Sequence, residues 1–339
     1  MNKRLKNDKI ILDFKKEEIM EDYKIVYKLK NEFNEHKILG PNNSYIKLIE
    51  EALGYTIILA QSNVYINKDN SNDEFVFDLF KTIELLLNNS CSLSTIDYIN
   101  IIKSIKNDSI NDLLNVYLKK ELIVSLANGK AIYPKTINQS KYLDALNNNE
   151  IVFGLGPAGT GKTYIAVLYA ASLLKKQRIK KIVLVRPVVE AGEKLGFLPG
   201  DLKEKIDPYL IPLYDSLEEC FGKDNVEKMI EKGTIEIAPL AYMRGRTLDN
   251  AVIILDEAQN TTMPQMKMFL TRLGFNSKMI ITGDVTQIDL LNKNQSGLIE
   301  ASSILKNIRG IKFIEFEKND VMRNPLVYKI IERYEMKDK

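Results

Sequence analysis

Gly156-Pro157-Ala158-Gly159-Thr160-Gly161-Lys162-Thr163 matches the pattern G-x-x-x-x-G-K-[ST] at every position. Residues of these types at this spacing suit one chemistry, the holding of a polyphosphate. Glycines let backbone N–H groups wrap an anion without Cβ clashes. Lys162 is expected to reach the β- and γ-phosphates, and the Thr163 hydroxyl to lie on Mg²⁺. A glycine-rich turn can also be merely structural, so the flanks decide. Ile151-Val152-Phe153 reads as a strand running into the loop, and Tyr164-Ile165-Ala166-Val167-Leu168 as a helix leaving it. The N-terminus of that helix adds positive potential where a phosphate would sit.

Two further strand ends supply the rest of a hydrolytic site. Val252-Ile253-Ile254-Leu255 runs into Asp256-Glu257, which puts two acids at the carboxyl edge of a sheet, where ligands bind in such folds. Asp256 is expected to hold Mg²⁺ through water, and Glu257 to orient and polarise the attacking water. Met279-Ile280-Ile281 runs into Thr282-Gly283-Asp284-Val285-Thr286-Gln287, with Gln287 the candidate γ-phosphate sensor. The expected cofactors are ATP and Mg²⁺, and hydrolysis is favoured over passive nucleotide binding.

The elements that must position these residues follow from the apolar pattern. Beyond Asn128-Gly129 and Tyr133-Pro134, short β-branched runs alternate with helical stretches, which predicts a parallel sheet covered by helices on both faces. The expected fold is α/β, a P-loop NTPase domain over 129–339. Ahead of it, 31–128 reads as a small α+β domain. It has a helix over Asn43 to Leu53, a hairpin turning at Gln61-Ser62-Asn63, a helix over Glu74 to Leu87 and another opening at Ser94 with Asp97 as its capping partner. A further helix is expected from Ile110 to about Leu126. Residues 1–30, rich in Lys and Glu, read as a loose extension or a solvated helix.

Composition removes several classes of function. The 339 residues suffice for two domains with buried cores. Lys and Arg total 48 against 45 Asp and Glu, and the net charge of +3 is too small to argue for nucleic acid by itself. Cys91 and Cys220 form no CxxC pair, so no zinc ribbon is expected, and two isolated thiols suit a reducing compartment. His36 is the single histidine, which excludes a histidine-based triad and HExxH metal chemistry. No apolar run approaches the ~20 residues that cross a bilayer. Met1-Asn2-Lys3-Arg4-Leu5-Lys6 is followed by no apolar signal core, so a cytoplasmic protein is expected.

Several strings in one order resemble the PhoH-like family of cytosolic ATPases, related to superfamily 1 helicase cores. They are Gly154 to Thr163, Val185 to Glu193, Phe197 to Asp201, Pro239 to Thr247, Asp256 to Asn260, and Gly283-Asp284 with Gln287. The resemblance implies a RecA-like core and a role for Gln139, upstream of the P-loop, in reading adenine. It makes 31–128 similar to the KH-like region of bacterial members, although Gly40-Pro41-Asn42-Asn43-Ser44 lacks the GXXG of RNA-binding KH folds. Arg186-Pro187 stands where helicase relatives contact single-stranded nucleic acid, and Phe197, Tyr209 and Tyr214 could stack on bases. The family's Arg-His-Pro is Arg323-Asn324-Pro325 here, which keeps the arginine and loses the imidazole. Implied partners are single-stranded RNA, a YbeY-type endoribonuclease, and further copies of the chain. Gln139 to Lys339 leaves room for only one RecA-like domain, so a transition-state arginine, with Arg244, Arg246 and Arg323 as candidates, must come in cis or from a neighbour in a ring-like homo-oligomer. The expected function is Mg-dependent ATP hydrolysis coupled to RNA binding or remodelling. The alternative is a nucleotide-gated adaptor that controls a protein partner without acting on RNA.

Overall fold

Backbone pairing in a computed structural model of the chain is described for residues 22–107, 109–187, 213–290, 292, 295–322, 326, 327, 330, 333 and 334. The chain forms two compact units, Met1–Lys119 and Lys120–Lys339.

In the first unit, β1 (Tyr23–Lys28), β2 (Ile58–Ala60) and β3 (Asn63–Asn67) make an antiparallel sheet in the order β1-β3-β2. Helices α1 (Asn34–Leu39), α2 (Ser44–Leu53), α3 (Asp73–Asn88), α4 (Thr95–Lys106) and α5 (Ile110–Lys119) complete it. Val64 and Ile66 alternate into a core with Val76, Leu79, Phe80 and Ile83 of α3. The hairpin turns at Gln61 and Ser62, and α4 opens with a Ser94–Asp97 capping box. Tyr23–Lys28 corrects the expected extension or solvated helix. The lysines hid a Tyr-Lys-Ile-Val-Tyr-Lys strand that pairs along β3 and buries Tyr27, whose hydroxyl donates to Glu84 Oε2 at 2.6 Å.

The helix expected to reach Leu126 stops at Lys119. Lys120 turns left-handed (φ 45°), and β4 (Val124–Ser125) pairs with β5 (Ala131–Ile132). Asn128-Gly129, read from the sequence as a boundary, is the turn of this hairpin inside the second unit. Such a dipeptide marks a change of direction in the chain, and a hairpin provides one as readily as a linker does.

The second unit is built on a six-stranded sheet of β6 (Ile151–Leu155), β7 (Lys181–Arg186), β8 (Ile235–Pro239), β9 (Ala251–Leu255), β10 (Lys278–Gly283) and β11 (Ile311–Glu315). Its order is β11-β6-β10-β9-β7-β8, and every neighbouring pair is parallel. One face, carrying Val152, Ile182, Leu184, Val252, Ile254 and Ile280, packs under α6 (Ile137–Asn148) and α7 (Lys162–Lys175). The other, with Phe153, Val183, Ile253 and Ile281, meets Met266 and Phe269 of α9 (Met263–Leu270) and Leu298 of α10 (Gly297–Ile304). The remaining named helix, α8, is Lys223–Glu231. Burial on both faces explains the unbroken apolar runs. The expectation of an α/β fold, a parallel sheet covered by helices on both faces, holds. Parallel pairing also brings the carboxyl ends of β6, β7, β9 and β10 to one edge.

Candidate nucleotide site

Four chain segments meet at that edge around an open cleft of about 290 Å³, lined by Lys162, Thr163, Arg186, Asp256, Glu257 and Gln287 among others. The first segment is the loop between β6 and α7. Gly156 (φ 136°) starts it where a Cβ would lie 2.3 Å from the carbonyl oxygen of Phe316, and Gly161 (φ 83°) caps α7 in the left-handed region. Lys162 is buried at 7% exposure, and its Nζ donates to the carbonyls of Gly156 (2.6 Å) and Pro157 (2.7 Å). The ammonium therefore lies in the hollow of its own loop, the place where the loop would receive phosphate oxygens.

Asp256 directly follows β9 and is almost fully buried. Its Oδ1 accepts from Thr163 Oγ1 at 2.6 Å and Thr282 Oγ1 at 2.7 Å. Its Oδ2 accepts from Arg186 Nε at 3.0 Å and Nη2 at 2.8 Å. Glu257 follows in the left-handed region (φ 53°), a conformation that costs a non-glycine residue on the order of 1 kcal/mol and is held by its surroundings. Here the holding groups are Gln259 Nε2, 2.6 Å from Glu257 Oε2, and Arg186 Nη2, 3.3 Å from Oε1. Gln259 in turn accepts the Asp284 N–H at 3.0 Å, tying the acid loop to the turn after β10. Lys162, Thr163, Asp256 and Glu257 thus converge on one cleft from two separate strand ends. The Thr163 hydroxyl and the Asp256 carboxylate form an all-oxygen set that fits the hard donors Mg²⁺ prefers.

Residues 131–335 match the family model described as PhoH-like protein. A PhoH-like protein of Bacillus subtilis (strain 168) is 52% identical over 308 residues, 91% of this chain and 96% of that one. The chain belongs to the PhoH-like family. Protein PhoH of Escherichia coli (strain K12) is 45% identical over 198 residues, covering 58% of this chain and 56% of its own. Among solved structures, the UvsW helicase from bacteriophage T4 aligns with 74% of this PhoH-like chain and 83% of its own, at 12% identity and a TM-score of 0.37. The Sulfolobus solfataricus SWI2/SNF2 ATPase core in complex with dsDNA aligns with 53% of this chain and 44% of its own, at 15% identity and a TM-score of 0.31. The fold class of the PhoH-like domain stands on its sheet order and register.

Other sequence-derived residues of this PhoH-like chain sit as follows. Gln139 is 2% exposed, and its amide is engaged by its own chain. Nε2 donates to the Thr160 carbonyl at 3.1 Å and Oε1 accepts the Lys135 N–H at 2.8 Å, so the side chain braces the P-loop from behind. Gln287 lines the cleft and donates to Asp284 Oδ2 at 3.0 Å. Arg246 is held by Glu236 through Nη1 and Nη2 at 2.5 and 2.8 Å, with Lys181 on the same carboxylate at 2.6 Å. That pairing takes up the guanidinium. The hydrogen bond from Arg246, more than any other cause, holds the Glu236 carboxyl down at about 2. Arg244 is exposed. Arg323, with Asn324 and Pro325, lies outside the described residues, as do Phe197 and Tyr209. Tyr214 packs partly buried against the core of the domain.

Sequence reasoning missed Thr282 and Gln259 as site residues and did not place Arg186 beside the two acids. Arg186 is the last residue of β7. It lies between the two acids, with its side chain 17% exposed. Its position at the end of a strand beside β9 was the available signal, since parallel neighbours end at the same edge. Among the described residues no helix is long and apolar enough to cross a membrane, and no cluster of three or more His, Cys, Asp or Glu side chains forms a metal site.

Proposed function

We propose that this chain hydrolyses ATP with Mg²⁺ and couples the cycle to single-stranded RNA. One observation carries the reading: Lys162 and Thr163 from the P-loop meet Asp256 and Glu257 from β9 in a single cleft. Thr163 and Asp256 would hold Mg²⁺, whose contribution when bound is to neutralise charge on the phosphate oxygens. Lys162 exchanges the Gly156 and Pro157 carbonyls for phosphate oxygens. Glu257, fixed by Gln259, orients water for attack in line with the leaving phosphate. Gln287, hydrogen-bonded to Asp284, reports on the γ-phosphate. Gln139 braces the loop from behind, and the adenine contact that family resemblance implies would require its amide to leave Thr160 and Lys135.

RNA coupling rests on family resemblance. Gly40 to Asn43 joins α1 to α2 without the GXXG by which KH folds clamp an RNA backbone, so the first unit adds no motif of its own to that reading. The chain is further proposed to act as a homo-oligomer, since among the described residues one six-stranded parallel sheet provides a single core of this kind.

The test is steady-state ATPase of the purified protein with and without Mg²⁺ and single-stranded RNA. Turnover should require Mg²⁺ and rise with RNA, and the rise should fade as salt increases. Lys162→Ala should lose turnover together with nucleotide affinity. Glu257→Gln should keep affinity and lose turnover by roughly a hundredfold or more. Full turnover in Lys162→Ala would sink the enzyme reading, and turnover indifferent to RNA would favour the nucleotide-gated adaptor.

A further inference from the structure

The Asp256 carboxylate has its acceptor positions filled by the chain itself. A carboxylate offers about four lone-pair sites. Thr163 and Thr282 take Oδ1, and Nε and Nη2 of Arg186 take Oδ2. The threonine contacts are compatible with a cation on the hydroxyl, because a hydroxyl can donate to a carboxylate while its own oxygen ligates. The arginine contacts are not, because a guanidinium has only donors and brings a positive charge to the place a divalent cation needs. The same guanidinium reaches Glu257 at 3.3 Å and so lies between the two acids. With Asp256 almost fully buried, neither its charge nor that of its partner is well screened by water.

We propose that Arg186 is the resident counter-cation of the site, competing with the divalent metal for Asp256 and Glu257 until nucleotide arrives. The metal alone is a poor ligand for the nucleotide-free protein. It enters with the triphosphate, whose negative charge offers the guanidinium a new partner. Arg186 is thereby a positioning residue that makes metal uptake conditional on nucleotide. This inference rests on the cleft being a metal–nucleotide site, as proposed above.

The probe is Mn²⁺ alone, titrated into nucleotide-free protein and followed by loss of the free-ion signal in electron paramagnetic resonance. Wild type should take up Mn²⁺ weakly at this site. Arg186→Gln, which removes the charge and keeps a polar side chain, should bind Mn²⁺ roughly tenfold tighter or more. Adding Asp256→Asn to that variant should abolish the gain. Arg186→Lys keeps a competing cation and should stay within about threefold of wild type. The melting temperature of Arg186→Gln should fall without metal and recover with Mn²⁺, which shows that the variant is folded.

Mn²⁺ affinity unchanged or weakened in Arg186→Gln would overturn the proposal, as would an equal gain in Arg186→Lys. Binding of a fluorescent ATP analogue by wild type, with Mg²⁺ and with EDTA, separates the two readings. If Mg²⁺-dependent nucleotide binding is present but Arg186→Gln gains no Mn²⁺ affinity, the competition fails and the nucleotide site stands. If wild type binds no nucleotide, the site reading itself fails.

Discussion

A methyl group separates glycine from alanine, and at Gly156 there is no room for it. The built Cβ lies 2.3 Å from the Phe316 carbonyl oxygen, and the φ of 136° is one L side chains rarely adopt. Gly129 is a natural control, with a φ of 82° and open space around it. Gly129→Ala should therefore cost about 1 kcal/mol, the conformational share alone. Gly156→Ala must also push the P-loop away from the end of β11, so it should lower the melting temperature further and weaken nucleotide binding. Thermal melts and titration with a fluorescent ATP analogue check both variants. Equal losses in the two would show that φ, and not contact, sets the cost. Legibility at this scale followed continuity along the chain. Gly156 to Thr163 could be read because the whole phosphate loop is one string. Thr282 and Arg186 reach Asp256 across 26 and 70 residues, and no spacing rule links positions joined only by sheet order.

At the scale of elements, the four inner strands were visible as apolar runs because both of their faces are buried. The half-exposed edge strands β8 and β11 left only shorter ones. Strand order and the β4–β5 hairpin were not visible, because two-residue strands leave no periodicity to read. The edge of the sheet holds an ion-pair cluster that no motif announced. Glu236 on β8 accepts both Arg246, from the loop before β9, and Lys181 at the start of β7, so it fastens the edge strand to its neighbour. The folded carboxyl sits at about 2 against an ordinary value of 4.5. A depressed carboxylate pKa stabilises the fold fully above the unfolded value, and that stabilisation drains away as pH falls from about 4.5 towards 2. The three side chains are about a quarter to a third exposed, so screening trims the bidentate pair to roughly 1–2 kcal/mol. Arg246→Ala should thus lower the urea midpoint at pH 7, and the gap from wild type should narrow steadily below pH 4.5. A gap constant down to pH 3 would assign the loss to packing of the arginine stem.

For the whole molecule the decisive quantity is how many cations one chain brings to its own phosphates. Among the described residues the basic side chains lining the cleft are Lys162 and Arg186, and Arg246 is bound to Glu236. Arg244 is exposed on the turn after β8, the edge strand of the described sheet, beside Tyr242 at 56% exposure. An exposed cation beside the edge strand is within reach of whatever adjoins that edge. If a second copy adjoins it, Arg244 is the finger and the neighbour's cleft its target, at a value of ~10³–10⁵ in rate. Two crippled chains then test the arrangement. Lys162→Ala lacks a working cleft and keeps the finger, whereas Arg244→Ala keeps the cleft and lacks the finger. Each alone should be nearly inactive. Mixed in equal amounts and allowed to exchange, half the clefts are intact and half the neighbouring fingers are. Turnover should therefore return to roughly a quarter of wild type in a closed homo-oligomer. Native mass measured on the same samples should show a multimer whose dissociation on dilution tracks the loss of turnover. A monomer with full activity at high dilution, or a mixture as inactive as its parts, would place the arginine in cis.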